Sequence, residues 1–295
     1  MDWADGFIAA DWGTTNRRAY LVGRDGALHD EMEDGKGILS VPQGGFPDAV
    51  ADLRTRLGDR PMLLAGMIGS NRGWVEAPYV AAPAGGEDIA RQMIWPEPGR
   101  TAIVPGVCHA DGQAPDVMRG EEVQIVGAVA GGLVPPDCLL CHPGTHNKWV
   151  ELRGGRIAAF RTVMTGELFN LLKTNSILAD LLGSPARPDE PFAAGVQHSL
   201  GEDDLTAELF SVRARILLGR GKPKEAPSYI SGLLIGADVR IGLRMRSERE
   251  VIVMGRPELT ALYAAALAIA GCRAREVDGE RAFLTGVRHL AERAA

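Results

Sequence analysis

Asp11 stands at the end of an apolar run and is followed by Gly13, Thr14 and Thr15. A carboxylate set before a glycine turn and two hydroxyls can do phosphate chemistry. Exposed amides and hydroxyls suit phosphate oxygens, and a lone carboxylate suits hydrated Mg²⁺, which keeps several waters and leans on one or two acids. A second turn of the same make-up follows later, Pro143-Gly144-Thr145-His146-Asn147-Lys148. The first turn alone is equally a hairpin of good turn formers. Two such turns facing each other across a cleft would make a phosphate clamp.

Other segments carry candidate chemistry. Glu121 and Glu122 follow Met118-Arg119-Gly120 at the start of an apolar stretch. Adjacent carboxylates at a helix start favour the helix dipole; one of them can also accept a substrate hydroxyl proton during phosphoryl transfer. Asp116 is a third candidate base, in an expected loop. Arg119 could grip a carboxylate or phosphate with both arms of its fork. The glycine-rich run Gly66–Trp74 sets Ser70, Asn71, Arg72 and Trp74 where a small polar ligand could approach the backbone. Arg161 precedes Thr165, a residue suited to cap a helix, and is another candidate anion ligand.

The elements that must position these residues are α/β in pattern. Gly6–Ala10 and Arg18–Val22 are expected strands around the first turn, Cys138–His142 and Lys148–Leu152 around the second. Pro47–Leu57 is an expected helix and Pro61–Ala65 a buried strand. Gly166–Leu182, Asp203–Leu218 and Ser228–Arg246 carry apolar residues at helical spacing. Val251–Met254 is an expected strand, with helices over Glu258–Ala270 and from Gly279 onward. The proline patches Ala82–Pro83, Pro96–Pro98 and Pro185–Pro191 read as surface loops. Gly13–Arg17 and Gly144–Lys148 match as a weak internal repeat, which suggests a duplicated α/β domain with a boundary near Pro135-Pro136.

Composition bounds the function. The 295 residues carry a formal charge of −6, which argues against a nucleic-acid partner. The charge-free stretches Val123–Pro136 and Leu259–Cys272 are shorter than the ~20 apolar residues that a membrane span needs. The acidic start Met1–Asp5 is unlike an export signal, so a cytoplasmic protein is expected. There is no P-loop and no dinucleotide turn. Cys138-Leu139-Leu140-Cys141-His142 matches a haem-attachment spacing, but on a strand residues three apart point to opposite faces. It reads as core strand.

In order along the chain, Asp11–Thr15, Gly66–Trp74, Met118–Gln124, Pro143–Trp149 and Phe160–Phe169 together resemble the 2-dehydro-3-deoxygalactonokinase family, a branch of the sugar kinase, Hsp70 and actin superfamily. The resemblance extends through Ser231–Ala237 and the final helix. It implies two ribonuclease H-like domains, residues 1–135 and 136–295, flanking an ATP cleft. It further implies an ATP- and Mg²⁺-dependent kinase acting on the 6-hydroxyl of 2-dehydro-3-deoxy-D-galactonate, or on another keto-deoxy sugar acid such as the gluconate epimer. An actin- or chaperone-like nucleotide switch is the rival class. Asp11 would serve catalysis and metal, with Gly13, Thr14, Thr15, Gly144, Thr145, Lys148 and Gly255 at the nucleotide. His142 stands where that superfamily often has an acid. Glu121 or Glu122 would be the base, and Ser70, Asn71, Arg72, Trp74, Arg119 and Arg161 would line the sugar-acid site. A homodimer is compatible with the sequence.

Overall fold

The computed structural model describes residues 3, 5–110, 114–246 and 248–294. The Met1–Asp5 start falls largely outside them, as does the last residue of the expected C-terminal helix. The chain divides into two compact units: residues 1–136, 153–159 and 280–295 form the first, residues 137–152 and 160–279 the second.

The first unit contains β1 (Phe7–Trp12), β2 (Arg17–Val22), β3 (Leu28–Asp34), α1 (Phe46–Leu57), β4 (Met62–Gly66), β5 (Tyr79–Ala81), α2 (Gly86–Arg91), β6 (Ile94–Glu97), β7 (Thr101–Ile103), β8 (Gly106–His109), β9 (Asp116–Met118) and α3 (Glu121–Ala130). Its main sheet has the order β3-β2-β1-β4-β7-β6. β1 runs antiparallel to β2, with Asp11 opposite Arg18, and parallel to β4, with Asp11 beside Ala65. The apolar run of β1 is buried on both faces because the strand lies in the middle of the sheet. Ile8, Trp12, Val50, Leu53 and Leu64 belong to the core between the sheet and α1. The short sheet β5-β8-β9 leads the chain into α3.

The second unit contains β10 (Cys138–His142), β11 (Asn147–Arg153), β12 (Arg156–Val163), α4 (Thr165–Asn175), α5 (Glu190–Gly201), α6 (Leu205–Leu217), α7 (Ala226–Met245), β13 (Glu250–Gly255), α8 (Pro257–Ile269) and β14 (Arg273–Asp278). Its sheet order is β12-β11-β10-β13-β14. β10 is antiparallel to β11 and parallel to β13, which is parallel to β14. Both sheets thus put their first strand between its hairpin partner and a parallel strand. Each glycine-threonine turn joins the first two strands of its own unit. This is the expected α/β class of two ribonuclease H-like sheets, and it gives the weak repeat a structural meaning.

The units differ from a single division at Pro135-Pro136 in two segments. Residues 153–159 sit with the first unit, where Ile157 pairs with Ala84. So does nearly all of α9 (Gly279–Ala294). A side-chain carbon on Gly127 of α3 would lie 1.9 Å from the Ala282 carbonyl oxygen, and one on Gly286 would lie 2.1 Å from that of Val123. The two helices therefore cross backbone to backbone, and glycine alone permits it.

Some element expectations need correction. The helix expected over Gly166–Leu182 ends at Asn175, because the Ser176 hydroxyl takes the Leu178 amide and turns the chain. Pro185–Pro191 is not wholly loop: the Asp189 carboxylate accepts from the Phe192 amide at 3.2 Å and Pro191 lies in the first turn of α5. Pro96 lies inside β6, at the sheet edge where a missing N–H costs no ladder bond. Cys138 and Cys141 are both buried in β10, only Cys141 in the core cluster of that sheet, and all four cysteines are free. Among the described residues no helix is long and apolar enough to cross a membrane.

Candidate active site

β1 and β4 end side by side, which sets Asp11 next to Gly66. Gly66 has φ +87, and a side-chain carbon there would meet the Trp12 carbonyl oxygen at 2.9 Å and Asp11 Oδ1 at 3.2 Å. Gly120, with φ +109, approaches so closely that its own added carbon would lie 3.3 Å from Gly66 Cα. Two glycines thus leave a floor of bare backbone beside the half-buried Asp11 carboxylate, where α3 begins. The turn Gly13–Asn16 follows directly. Amides of Ile38, Leu39 and Gly37 take the carbonyls of Gly13, Thr14 and Thr15 at 3.0, 3.2 and 2.9 Å. The Gly13 amide closes the turn on the Asn16 carbonyl at 2.9 Å, and exposed Thr14 and Thr15 carry the amides and hydroxyls that an anion requires. Arg17, fully buried, anchors the turn from below through Asp34 at 2.8 Å and Asp52 at 3.3 Å.

The two glutamates of α3 have different surroundings. Glu121 is half-buried, and its Oε2 accepts from the Arg119 amide at 3.2 Å. Glu122 is 0% exposed; Oε2 accepts from the Gly120 amide at 2.6 Å and Oε1 has no partner. Burial, with the charge of Glu121 second, pushes the Glu122 carboxyl up to about 8. The folded protein therefore keeps a proton that the unfolded chain releases above its ordinary value of 4.5. Wild-type stability falls as pH rises between those values, by roughly 1.4 kcal/mol per pH unit at most. Glu122→Gln is expected to match the wild type near the lower end and to be the more stable protein near the upper. Melting curves of the two proteins that stay parallel across the window would refute this.

Asp116 starts β9 instead of lying in a loop, and its carboxylate accepts from the Val117 amide at 2.8 Å. The loop after β4 is closed on itself: the Trp74 amide donates to the Ile68 carbonyl at 2.8 Å, Gly73 to Ser70 at 2.9 Å and Ala77 to Gly69 at 2.9 Å. Ser70 is buried with its hydroxyl on the Met67 carbonyl, and Trp74 packs on the core. Asn71 and Arg72 are exposed. Arg119 donates through Nη2 to the Ala77 carbonyl at 2.8 Å and stacks over Tyr79 at 4.3 Å, so it braces this loop from beneath. Arg161 is exposed on the part of β12 that belongs to the second unit.

In the second unit, Gly144 faces open space, and the Thr145 carbonyl accepts from the Glu167 amide at 3.0 Å. Exposed His146 pairs with Glu167. Lys148 is buried and its ammonium donates to the His146 carbonyl at 3.1 Å. Gly255 ends β13 next to the turn, where an added side-chain carbon would lie 3.3 Å from the Pro143 carbonyl oxygen. A cavity of about 120 Å³ is lined by Gly144, Gly166, Phe169, Leu234, Leu259 and Leu262 among others.

Sequence reasoning missed Asp238. It lies fully buried in α7 and receives Asn147 Nδ2 at 2.9 and 3.0 Å, Trp149 Nε1 at 2.6 Å, and the hydroxyls of Thr165 and Tyr263. Burial holds its carboxyl above the ordinary range despite these donors. Thr165 therefore spends its hydroxyl on Asp238; Met164 takes the cap position of α4 and no side chain caps it. The one available sign was an acid within the apolar sequence of α7.

The family model described as 2-keto-3-deoxy-galactonokinase matches residues 11–290. The chain belongs to that family. It is 37% identical to the 2-dehydro-3-deoxygalactonokinase of Escherichia coli K12, over 98% of both chains. A Rhizobium meliloti protein with the same kinase assignment is 35% identical over 97% of both. A Sinorhizobium meliloti crystal structure, assigned to this kinase, superposes with a TM-score of 0.91 at 32% identity, covering 97% of this chain and 98% of the other. Family membership therefore spans Asp11, the Gly66 loop, α3, the second turn and the Asp238 hub alike.

Proposed function

We propose that this chain transfers the γ-phosphoryl group of ATP to the 6-hydroxyl of 2-dehydro-3-deoxy-D-galactonate, as a cytoplasmic enzyme. The reaction type is carried by the two equivalent turns, each at the first hairpin of its sheet; the substrate is carried by the full-length likeness to the Escherichia coli kinase. Thr14 and Thr15 in one unit and Gly144 and Thr145 in the other would bind phosphate oxygens, with Gly13 closing the first turn through its amide on the Asn16 carbonyl at 2.9 Å. Gly255 and Lys148 would support the second turn. The donor set fits Mg²⁺: Asp11 stands over a backbone floor that any side chain on Gly66 would fill. Bound there, Mg²⁺ would neutralise charge on the phosphates. Glu121 would take the hydroxyl proton, and Ser70, Asn71 and Trp74 would shape the sugar-acid side.

Coupled measurement of ADP release with a panel of sugar acids tests this reading. Turnover is expected with the galactonate-derived keto-deoxy acid; preference for the gluconate epimer would reassign the substrate. Slow ATP hydrolysis indifferent to every sugar acid would indicate a nucleotide switch. Arg72, exposed on a loop rooted at Gly66, is the expected partner of the substrate carboxylate, whose plane matches arginine's fork. Losing a charge-assisted hydrogen bond costs about 1.5–3 kcal/mol. Arg72→Ala should therefore raise KM for the sugar acid by roughly 10- to 100-fold, with KM for ATP unchanged. Equal rises in both constants would show that Arg72 acts elsewhere.

A further inference from the structure

We infer that the phosphoryl-donor site recognises its nucleotide base by shape and not by hydrogen bonds, so that inosine triphosphate serves in place of ATP. This rests on the reading above, with the cavity beside the second turn as the base site. Its place supports that use, since Gly144 of the second turn and Gly166 at the start of α4 belong to its lining. At about 120 Å³ it is smaller than the ~300–1,000 Å³ of pockets that enclose a drug-sized molecule. A purine placed there would leave its phosphates at the turn that Gly144 belongs to.

The wall of this cavity is almost wholly hydrocarbon. Three of its side chains carry hydroxyls: Thr165, Tyr263 and Ser231. Thr165 and Tyr263 both donate to the buried Asp238 carboxylate. Turning either toward a base would strip a donor from a buried carboxylate, at a cost of about 1–3 kcal/mol or more. Thr165 and Tyr263 are left with acceptor lone pairs, and Ser231 is the remaining lining hydroxyl that can also donate; each purine offers one edge donor and one edge acceptor, so these hydroxyls fit either pattern. Adenine and hypoxanthine have the same ring size, but at positions 1 and 6 one presents an acceptor and a donor where the other presents a donor and an acceptor. A site that hydrogen-bonds its ligand rejects the wrong partner by roughly 10⁴–10⁵, whereas a hydrocarbon pocket discriminates by only about 10–200-fold, and then by size. Here the sizes are equal.

The base takes no part in the chemistry. The bond from the γ-phosphorus to the β-bridging oxygen breaks, a bond to the sugar 6-oxygen forms, and the hydroxyl proton passes to Glu121. The nucleoside diphosphate leaves, whichever purine it carries.

The test compares kcat/KM for ATP and inosine triphosphate at saturating sugar acid. Calorimetry on the same protein compares binding of ADP and inosine diphosphate. Ratios below about 100-fold in each pair are expected; a larger preference for adenine in either overturns the inference. If neither triphosphate supports transfer, the proposed activity fails, while the calorimetric pair still decides: similar affinities uphold shape recognition and absent binding overturns it. Ala186 lies half-buried in a loop at the cavity, so Ala186→Phe fills the space with little demand on the core. It should weaken both diphosphates together and leave KM for the sugar acid unmoved. Unchanged nucleotide affinity in the folded variant would place the base elsewhere and overturn the inference.

Discussion

Asp11→Asn is expected to lower kcat by roughly 10²–10³-fold, the range seen when one preorganised charge-stabilising contact is lost. The fold should survive, since asparagine has nearly the same size and β1 keeps its register with both β2 and β4 through backbone bonds. The neighbouring Arg17 is held by acids of its own, Asp34 and Asp52. What changes is charge at a place built to be free of side chains, beside Gly66 and Gly120. Steady-state turnover at saturating Mg²⁺ and a melting curve check this together. A folded variant with near-wild-type turnover would remove Asp11 from the reaction.

Local chemistry made half of this architecture legible. Asp11 before Gly13-Thr14-Thr15, and Gly144-Thr145 between two apolar runs, mark turns by residue type alone, and the turns sit where the strands predict. Gly66 was legible as a glycine but not as the floor beside Asp11, because its neighbour Gly120 arrives from a distant segment. The differing environments of Glu121 and Glu122 were equally hidden. A helical pattern says that adjacent residues diverge, but which one enters the interior depends on what packs over α3. Asp238 shows the limit most plainly: its four donor residues come from three other elements, β11, α4 and α8. No spacing within α7 encodes them. The α5 helix was missed for the opposite reason, since Pro188 and Pro191 signal a loop until the Asp189 cap shows that Pro191 lies in the first turn of a helix.

The contrast between Glu121 and Glu122 yields the other large effect. Successive residues on a helix point about 100° apart, and here Glu122 turns fully inward while Glu121 remains half-exposed. A general base must come within hydrogen-bond reach of the proton it takes. Glu122 has no exposed atom with which to do so, and Glu121 does. Glu121→Gln is therefore expected to reduce kcat by roughly 10²–10⁴-fold with nucleotide affinity preserved. Glu122→Gln should stay within about tenfold of wild type, a smaller loss than removing a general base produces. The hydrogen bond that the Arg119 backbone amide donates to Glu121 Oε2 gives the first variant a built-in control, because glutamine's carbonyl oxygen can still accept it. The loop that Arg119 braces should then keep its shape, and KM for the sugar acid should hold while kcat falls. The reverse pattern, an active Glu121→Gln and an inactive Glu122→Gln, would mean that α3 exposes its buried carboxyl during turnover, and Glu122 would be the base.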